Sequence, residues 1–275
     1  MGLRLLFRLL SFAALTGSTV HSQSSRDTPF PDITDPSFIS KCVDVHNRYR
    51  SGVSPTASNM FHMTWDVALA RSARGWARNC AFFHNPRLET PRELHPSFSH
   101  VGENIWVGAP YSTFSVERAL KTWYDEVYHY DYNTMSCSDV CGHYTQVVWA
   151  TSYKVGCAVQ ICPDGVEKFT KNPGVIFVCN YGEGGNFRGE HPYRAGTSCS
   201  ECGSGRCRGK LCYDAERDKS INYDWTPAWD PDEASSASNS IYLRVVLISR
   251  PLAILFTFLG VYGLQVLYPN LFAYE

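Results

Sequence analysis

A chain of 275 residues with a formal charge of −1 has room for one ordinary domain plus appendages, and a core of that size folds without staples. The near-neutral balance lacks the basic footprint of a nucleic-acid binder. Eleven cysteines point to an oxidising compartment for an exported chain.

At the N-terminus Arg4 and Arg8 precede the apolar run Leu9–Leu15, and small residues follow. That order is what a cleavable signal peptide over residues 1–22 needs, with cleavage near Ser22. The run is too short for an uncleaved membrane anchor.

Asp35-Pro36-Ser37 opens a first helix, with a capping carboxylate and Pro at the first helical position. Phe38, Cys42, Val45 and Tyr49 share one face of it. Cys42 therefore points at the core, and it is the expected free, unreactive thiol of an odd cysteine count. After a loop at Pro55–Ser58, Thr64 reads as the cap of a second helix with Trp65, Leu69, Ala73, Trp76 and Cys80 along one stripe. His84 follows that helix at an element end, where sites are commonly built; the alternative is a solvated loop histidine. Residues 85–100, rich in Pro, Arg, His and Ser, read as a long surface loop. Glu103, between Gly102 and Asn104, is a turn or a cleft residue, and the pattern favours the turn. Ser115 caps a third helix with Val116, Ala119, Leu120, Trp123 and Val127 as its stripe. Glu126 falls on the flank, either at a cleft rim or in an exposed salt bridge.

Cys141 to Trp149 reads as a buried strand, with His143, Thr145, Val147 and Trp149 on one face and Tyr144, Gln146 and Val148 on the other. His143 then sits at the mouth of the covered face. Val155–Gln160 and Val175–Cys179 are two more strands, on either side of a Pro-Asp-Gly turn region. Helices first and strands later give an α+β chain with helices packed on a sheet.

Cys199, Cys202, Cys207 and Cys212 lie in a stretch with almost no apolar residues, which needs either two disulfides or one tetrahedral zinc site. The oxidising compartment favours disulfides. Residues 215–240 read as a polar stalk. Residues 241–268 are apolar apart from Arg244, Arg250 and Gln265, and are long enough to span a bilayer. No Lys or Arg follows, against the positive-inside bias, and the small residues before the tail also suit a GPI-attachment signal. A transmembrane helix and a GPI signal both fit; either puts the chain in the secretory pathway and at the cell surface.

Gly142-His143-Tyr144-Thr145-Gln146-Val147-Val148-Trp149, followed by Ala150-Thr151-Ser152, resembles the first signature of the CAP superfamily. These are the cysteine-rich secretory, antigen 5 and pathogenesis-related-1 proteins. Ile176 to Phe187 resembles the second signature, with Glu183 where the family has Pro, Ala, Arg or His. His46-Asn47-Arg48-Tyr49-Arg50 and Gly102-Glu103-Asn104-Ile105 match two shorter family motifs. The resemblance covers residues 33–190, ahead of a cysteine-rich hinge at 191–214. The layout is most similar to the glioma pathogenesis-related branch.

That resemblance implies an α-β-α sandwich with a three- or four-stranded, mainly antiparallel sheet. It implies the pairs Cys80–Cys162, Cys137–Cys141, Cys157–Cys179, Cys199–Cys207 and Cys202–Cys212, and a cleft tetrad of His84, Glu103, Glu126 and His143. Two neutral imidazoles suit Zn²⁺ and leave coordination positions for water or a carboxylate. The carboxylates can orient the imidazoles from outside the metal. If the cleft were an enzyme it would be a zinc-dependent endopeptidase with Glu126 or Glu103 as base. Against this, the chain has no His-Glu-x-x-His or Gly-x-Ser-x-Gly, and two histidines fall short of the three protein ligands of catalytic zinc sites. Relatives are implicated in binding sterols and other lipids. The first expectation is therefore a non-enzymatic binding module for a lipid or a cell-surface partner.

Overall fold

The computed structural model describes residues 30–269, with side chains described except over 231–244. The signal peptide expected over residues 1–22 lies outside the described residues.

Helix α1 spans Pro36–Ser51, and the Asp35 carboxylate accepts from the Ser37 and Phe38 N–H groups. It buries Phe38, Cys42, Val45, His46 and Arg50. Strand β1 is Thr64–Trp65, parallel to a later strand. Thr64 is thus not a cap: its N–H bonds Tyr153 O and that of Asp66 bonds Val155 O. Asp66 caps helix α2, Val67–Ala77, by accepting from Ala68 and Leu69.

The 85–100 stretch is not simply a surface loop. Leu94, His95 and Phe98 are buried, and Ser72 on α2 donates to Leu94 O. A polar composition concealed this because His95 satisfies its own loop, its Nδ1 accepting from the Ser97 and Phe98 N–H groups. Strand β2, Gly102–Gly108, carries Glu103, which is therefore a strand residue and not a turn. Ser115 caps α3, Val116–Asp125, and a single 3₁₀ turn continues it over Glu126–His129. Two short strands, β3 (Tyr130–Asp131) and β4 (Ser136–Cys137), precede α4, Gly142–Val147.

Strands β5 (Lys154–Cys162) and β6 (Gly174–Gly182) form the centre of a four-stranded sheet of order β1-β5-β6-β2, antiparallel except for β1. Cys157 and Cys179 face each other across β5 and β6 and are bonded. One face of the sheet takes α1, α3 and α4, with Phe38, Leu120, Trp123, Tyr144 and Phe177 in one buried cluster. The other takes α2, with Ala70, Ala73 and Trp76 against Ile105, Ile176 and Val178. This is an α-β-α sandwich. α2 lies so close to β5 that a Cβ at Gly156 would stand 2.1 Å from Ala70 N.

The other disulfides are Cys80–Cys162, Cys137–Cys141, Cys199–Cys207 and Cys202–Cys212, and Cys42 is a buried free thiol. The last two close a small hairpin of β7 (Arg206–Arg208) and β8 (Leu211–Tyr213). A one-turn helix α5, Ala215–Asp218, follows, and α6 runs from Pro231 to Leu267. The expected stalk over 215–240 is corrected in two ways. Residues 223–230 are strapped onto α2, with Asp230 buried against Arg74 and Arg78. From Pro231 to Leu267 the chain is helical. The strap's backbone acceptors and the Asp230 carboxylate find arginines on and just past α2, which no local composition reveals.

Candidate functional site

Two histidine–carboxylate pairs are built on different elements. Glu103 on β2 is buried, and its Oε1 accepts from His84 Nδ1 at 3.0 Å and from the Asn85 N–H at 2.9 Å. The bond to Glu103 raises the His84 pKa against the opposing effect of burial. The His84 side chain is 60 % exposed. Oε2 of Glu103 is buried without a hydrogen-bond partner among the described residues.

Glu126, at the end of α3, uses both oxygens. Oε1 accepts from His143 Nδ1 at 2.6 Å, and Oε2 accepts from the N–H groups of His143 at 2.9 Å and Tyr144 at 3.1 Å. The His143 ring stacks on Trp123 with 8° between the planes and is 26 % exposed.

These bonds explain why Cys141 to Trp149 is not the expected strand. Glu126 supplies a negative charge and acceptors to the first N–H groups of α4. Buried Arg50 donates to the carbonyl of Val147, the last residue of α4, to those of Trp149 and Ala150 just past its end, and to Phe61 O. A short helix normally leaves these groups unsatisfied, and here two side chains from other helices supply opposite charges at its two ends. The β-branched and aromatic run suits a strand locally, and these tertiary bonds override it.

The pairs are tied to one another through β2. His46 Nδ1–H donates to Cys42 O at 2.7 Å, so Nε2 is left to accept from the Tyr181 hydroxyl at 2.9 Å. Asn104 Nδ2 donates to Tyr181 Oη and to His143 O. Asn104 thus holds the backbone of His143 while its neighbour Glu103 holds the ring of His84. Burial lowers the His46 pKa to about 4, keeping the ring neutral and its accepting nitrogen intact. His46, Arg50, Asn104 and Tyr181 belong to the motifs quoted from the sequence, yet sequence reasoning assigned none of them a role. Their signal was their being polar residues in otherwise core-facing stretches.

In both histidines Nδ1 is engaged by a carboxylate and Nε2 carries no hydrogen bond among the described residues. That arrangement fixes the ring and presents Nε2 as a donor for a divalent cation. The tetrad does not bring three ligand atoms within 4.8 Å of one another. Among the described residues only Cys199, Cys202 and Cys212 do so, and all three are in disulfides. The hinge cysteines therefore have no thiolate to offer zinc.

A sandwich carrying these four motifs around paired His and Glu residues defines a CAP domain. The model of the cysteine-rich secretory protein family, CAP, matches residues 43–181, and the chain belongs to that family. Within it, the chain falls in the glioma pathogenesis-related branch. It is 42 % identical over 274 residues to glioma pathogenesis-related protein 1 of Mus musculus, covering 96 % of this chain and 97 % of that protein. It is 45 % identical over 221 residues to GLIPR1-like protein 1 of Bos taurus, covering 80 % and 88 % respectively. Among solved structures, NaASP2 with Zn²⁺ superposes with a TM-score of 0.52 at 27 % identity, over 65 % of this chain and 96 % of that one. Na-ASP-1 gives the same TM-score and identity over 64 % of this chain, which spans about half of that longer protein at 47 %.

Proposed function

We propose that this protein is an extracellular, membrane-anchored binding module whose cleft holds a divalent cation on Nε2 of His84 and His143. The observation that carries this reading is that each Nδ1 is bound by a carboxylate. A bound zinc ion would supply Lewis acidity and open coordination positions for a ligand group or water. The NaASP2 structure with Zn²⁺ supports the choice of metal. The apolar segment Val245–Leu267, none of it buried within the protein, supports the anchor. The ligand class is a sterol or other lipid, or a protein at the cell surface.

Zinc-dependent peptide hydrolysis is the weaker reading. Both oxygens of Glu126 are committed to N–H donors, and Glu103, whose Oε1 is likewise committed, keeps only a buried Oε2 for a general base.

The test is calorimetric titration of zinc into the chelator-stripped full chain in detergent, beside His84→Ala and His143→Ala. One-to-one binding by the parent and its loss in both variants is the expected result. A parent that takes up no zinc, or variants that bind it like the parent, would sink the reading.

A further inference from the structure

The strap that replaces the expected stalk has a direction. Arg71, in the N-terminal half of α2, donates to the carbonyls of Tyr223 and Trp225, whereas Arg74 and Arg78, further along, hold the buried Asp230. The strap therefore runs toward the C-terminal end of α2, and α6 starts at the next residue, Pro231. About 21 Å of helix separates Pro231 from the apolar segment that begins at Val245. A domain held that short a distance from a bilayer presents whichever face surrounds the strap's end.

At that end the chain exposes three phenylalanines: Phe82 at 39 %, Phe83 at 36 % and Phe169 at 46 %. They are held together by well-defined structure. The Glu167 N–H bonds Cys80 O at 2.7 Å, the Phe82 N–H bonds Glu167 O at 3.0 Å, and the Cys80–Cys162 disulfide ties the base. The Phe82 and Phe169 rings meet edge-on at 6.3 Å, Phe83 packs edge-on against Trp76 of α2, and Lys168 Nζ lies 4.4 Å from the Phe83 ring centroid. An open cavity of about 630 Å³ lies on the connection between β5 and β6, residues 163–173, and is lined by Val166, Lys168, Phe169 and Lys171 among others.

Isolated exposed apolar residues need no explanation, but a fixed cluster of aromatic rings marks an interaction surface. Aromatic rings edged by lysines suit the headgroup level of a bilayer. Asp164 and Glu167 balance Lys168 and Lys171 on that connection, so the patch fits a zwitterionic surface better than an anionic one.

We propose that Phe82, Phe83 and Phe169 seat in the headgroup region of the bilayer entered by α6, so that the domain lies on the membrane. His84 directly follows Phe83 in the chain, so this seating would bring its exposed ring close to the lipid surface. The proposal rests on the anchoring reading above and goes beyond it by naming the face that contacts lipid.

The test reconstitutes the full chain in nanodiscs of phosphatidylcholine doped with a phosphatidylcholine bearing a photoactivatable diazirine near its headgroup, and maps adducts by proteolysis and mass spectrometry. Adducts are expected at residues 80–84 and 163–171 as well as on α6. The Phe82→Ser/Phe169→Ser variant should lose domain adducts on the order of tenfold while those on α6 stay constant. Phe169→Ser alone, with an unchanged thermal unfolding midpoint, separates loss of contact from loss of fold. Adducts confined to α6 overturn the proposal and leave the anchor standing. Their absence from α6 overturns the anchor and this proposal with it.

Discussion

The two histidine–carboxylate pairs look alike on paper and are built differently. Glu103 spends one oxygen on both of its donors and leaves the other orphaned, holding an imidazole that is mostly exposed. Glu126 spends both oxygens, one on a ring and one on two backbone groups that start a helix, and its imidazole is stacked on Trp123. The difference separates two jobs. The Glu126 pair is part of the fold's own framework, whereas the Glu103 pair is an adjustable arm attached to it.

The framework side should therefore be far more sensitive to damage. The largest effect is expected for Arg50→Met, which removes the buried guanidinium that donates to the carbonyls at and just past the end of α4. Several buried acceptors lose their donor at once, a loss of about 3–5 kcal/mol by denaturant unfolding. A loss below about 1 kcal/mol would mean that α4 stands without its partners.

The next effect is a pH dependence on the same side. The His46 pKa is lowered to about 4 by burial, so the folded state favours the neutral ring. Its contribution is fully present above the ordinary histidine value of about 6.5 and is lost as pH falls from there toward 4. The whole window corresponds to roughly 3 kcal/mol. Unfolding free energies measured at intervals from pH 7.5 to 4 should fall by that order in the parent, and His46→Gln should remove this part of the slope. Equal slopes in the two proteins would show that His46 is not the titrating group.

A direct comparison of the two carboxylates follows. Gln at position 103 can keep its carbonyl where both donors already meet, with its amide at the orphaned site; Gln at 126 must turn N–H groups toward donors whichever way it lies. Glu126→Gln is expected to cost roughly 2–3 kcal/mol and Glu103→Gln about 1 kcal/mol. Thermal or denaturant unfolding of the two variants side by side decides it, and a reversed order would undo the assignment of framework and arm.

The distinction was only half legible in the sequence. Local chemistry announced its own elements: Asp35-Pro36 started α1, Ser115 started α3, and the β5 and β6 strands followed from their apolar runs. α4 could not be read that way, because its ends are satisfied by Glu126 and Arg50, the latter about a hundred positions away, while its own residues favour a strand. Thr64 has the chemistry of a cap, but its parallel pairing with β5 makes it a strand residue and leaves the capping of α2 to Asp66. The tetrad was named by resemblance alone. What no motif disclosed was the division of labour, since that depends on which oxygen of each carboxylate meets which donor.

The smallest effect concerns the arm itself. Glu103 raises the His84 pKa, so the pair's contribution to folding is present below the ordinary histidine value and fades as pH rises through the raised one. With the ring so exposed, solvent screens the interaction, and the readable quantity is the titration. In the parent the His84 ring-proton resonance should have its midpoint above about 6.5, and Glu103→Gln should bring it down. An unmoved midpoint would show that Glu103 orients the ring without setting its charge. The titrating proton matters for metal as well. Nδ1 is already held by Glu103, so the added proton occupies Nε2, the atom proposed to meet the cation. Zinc uptake should therefore weaken below the His84 midpoint, and in Glu103→Gln that loss should begin at lower pH, even though the variant holds the ring less firmly.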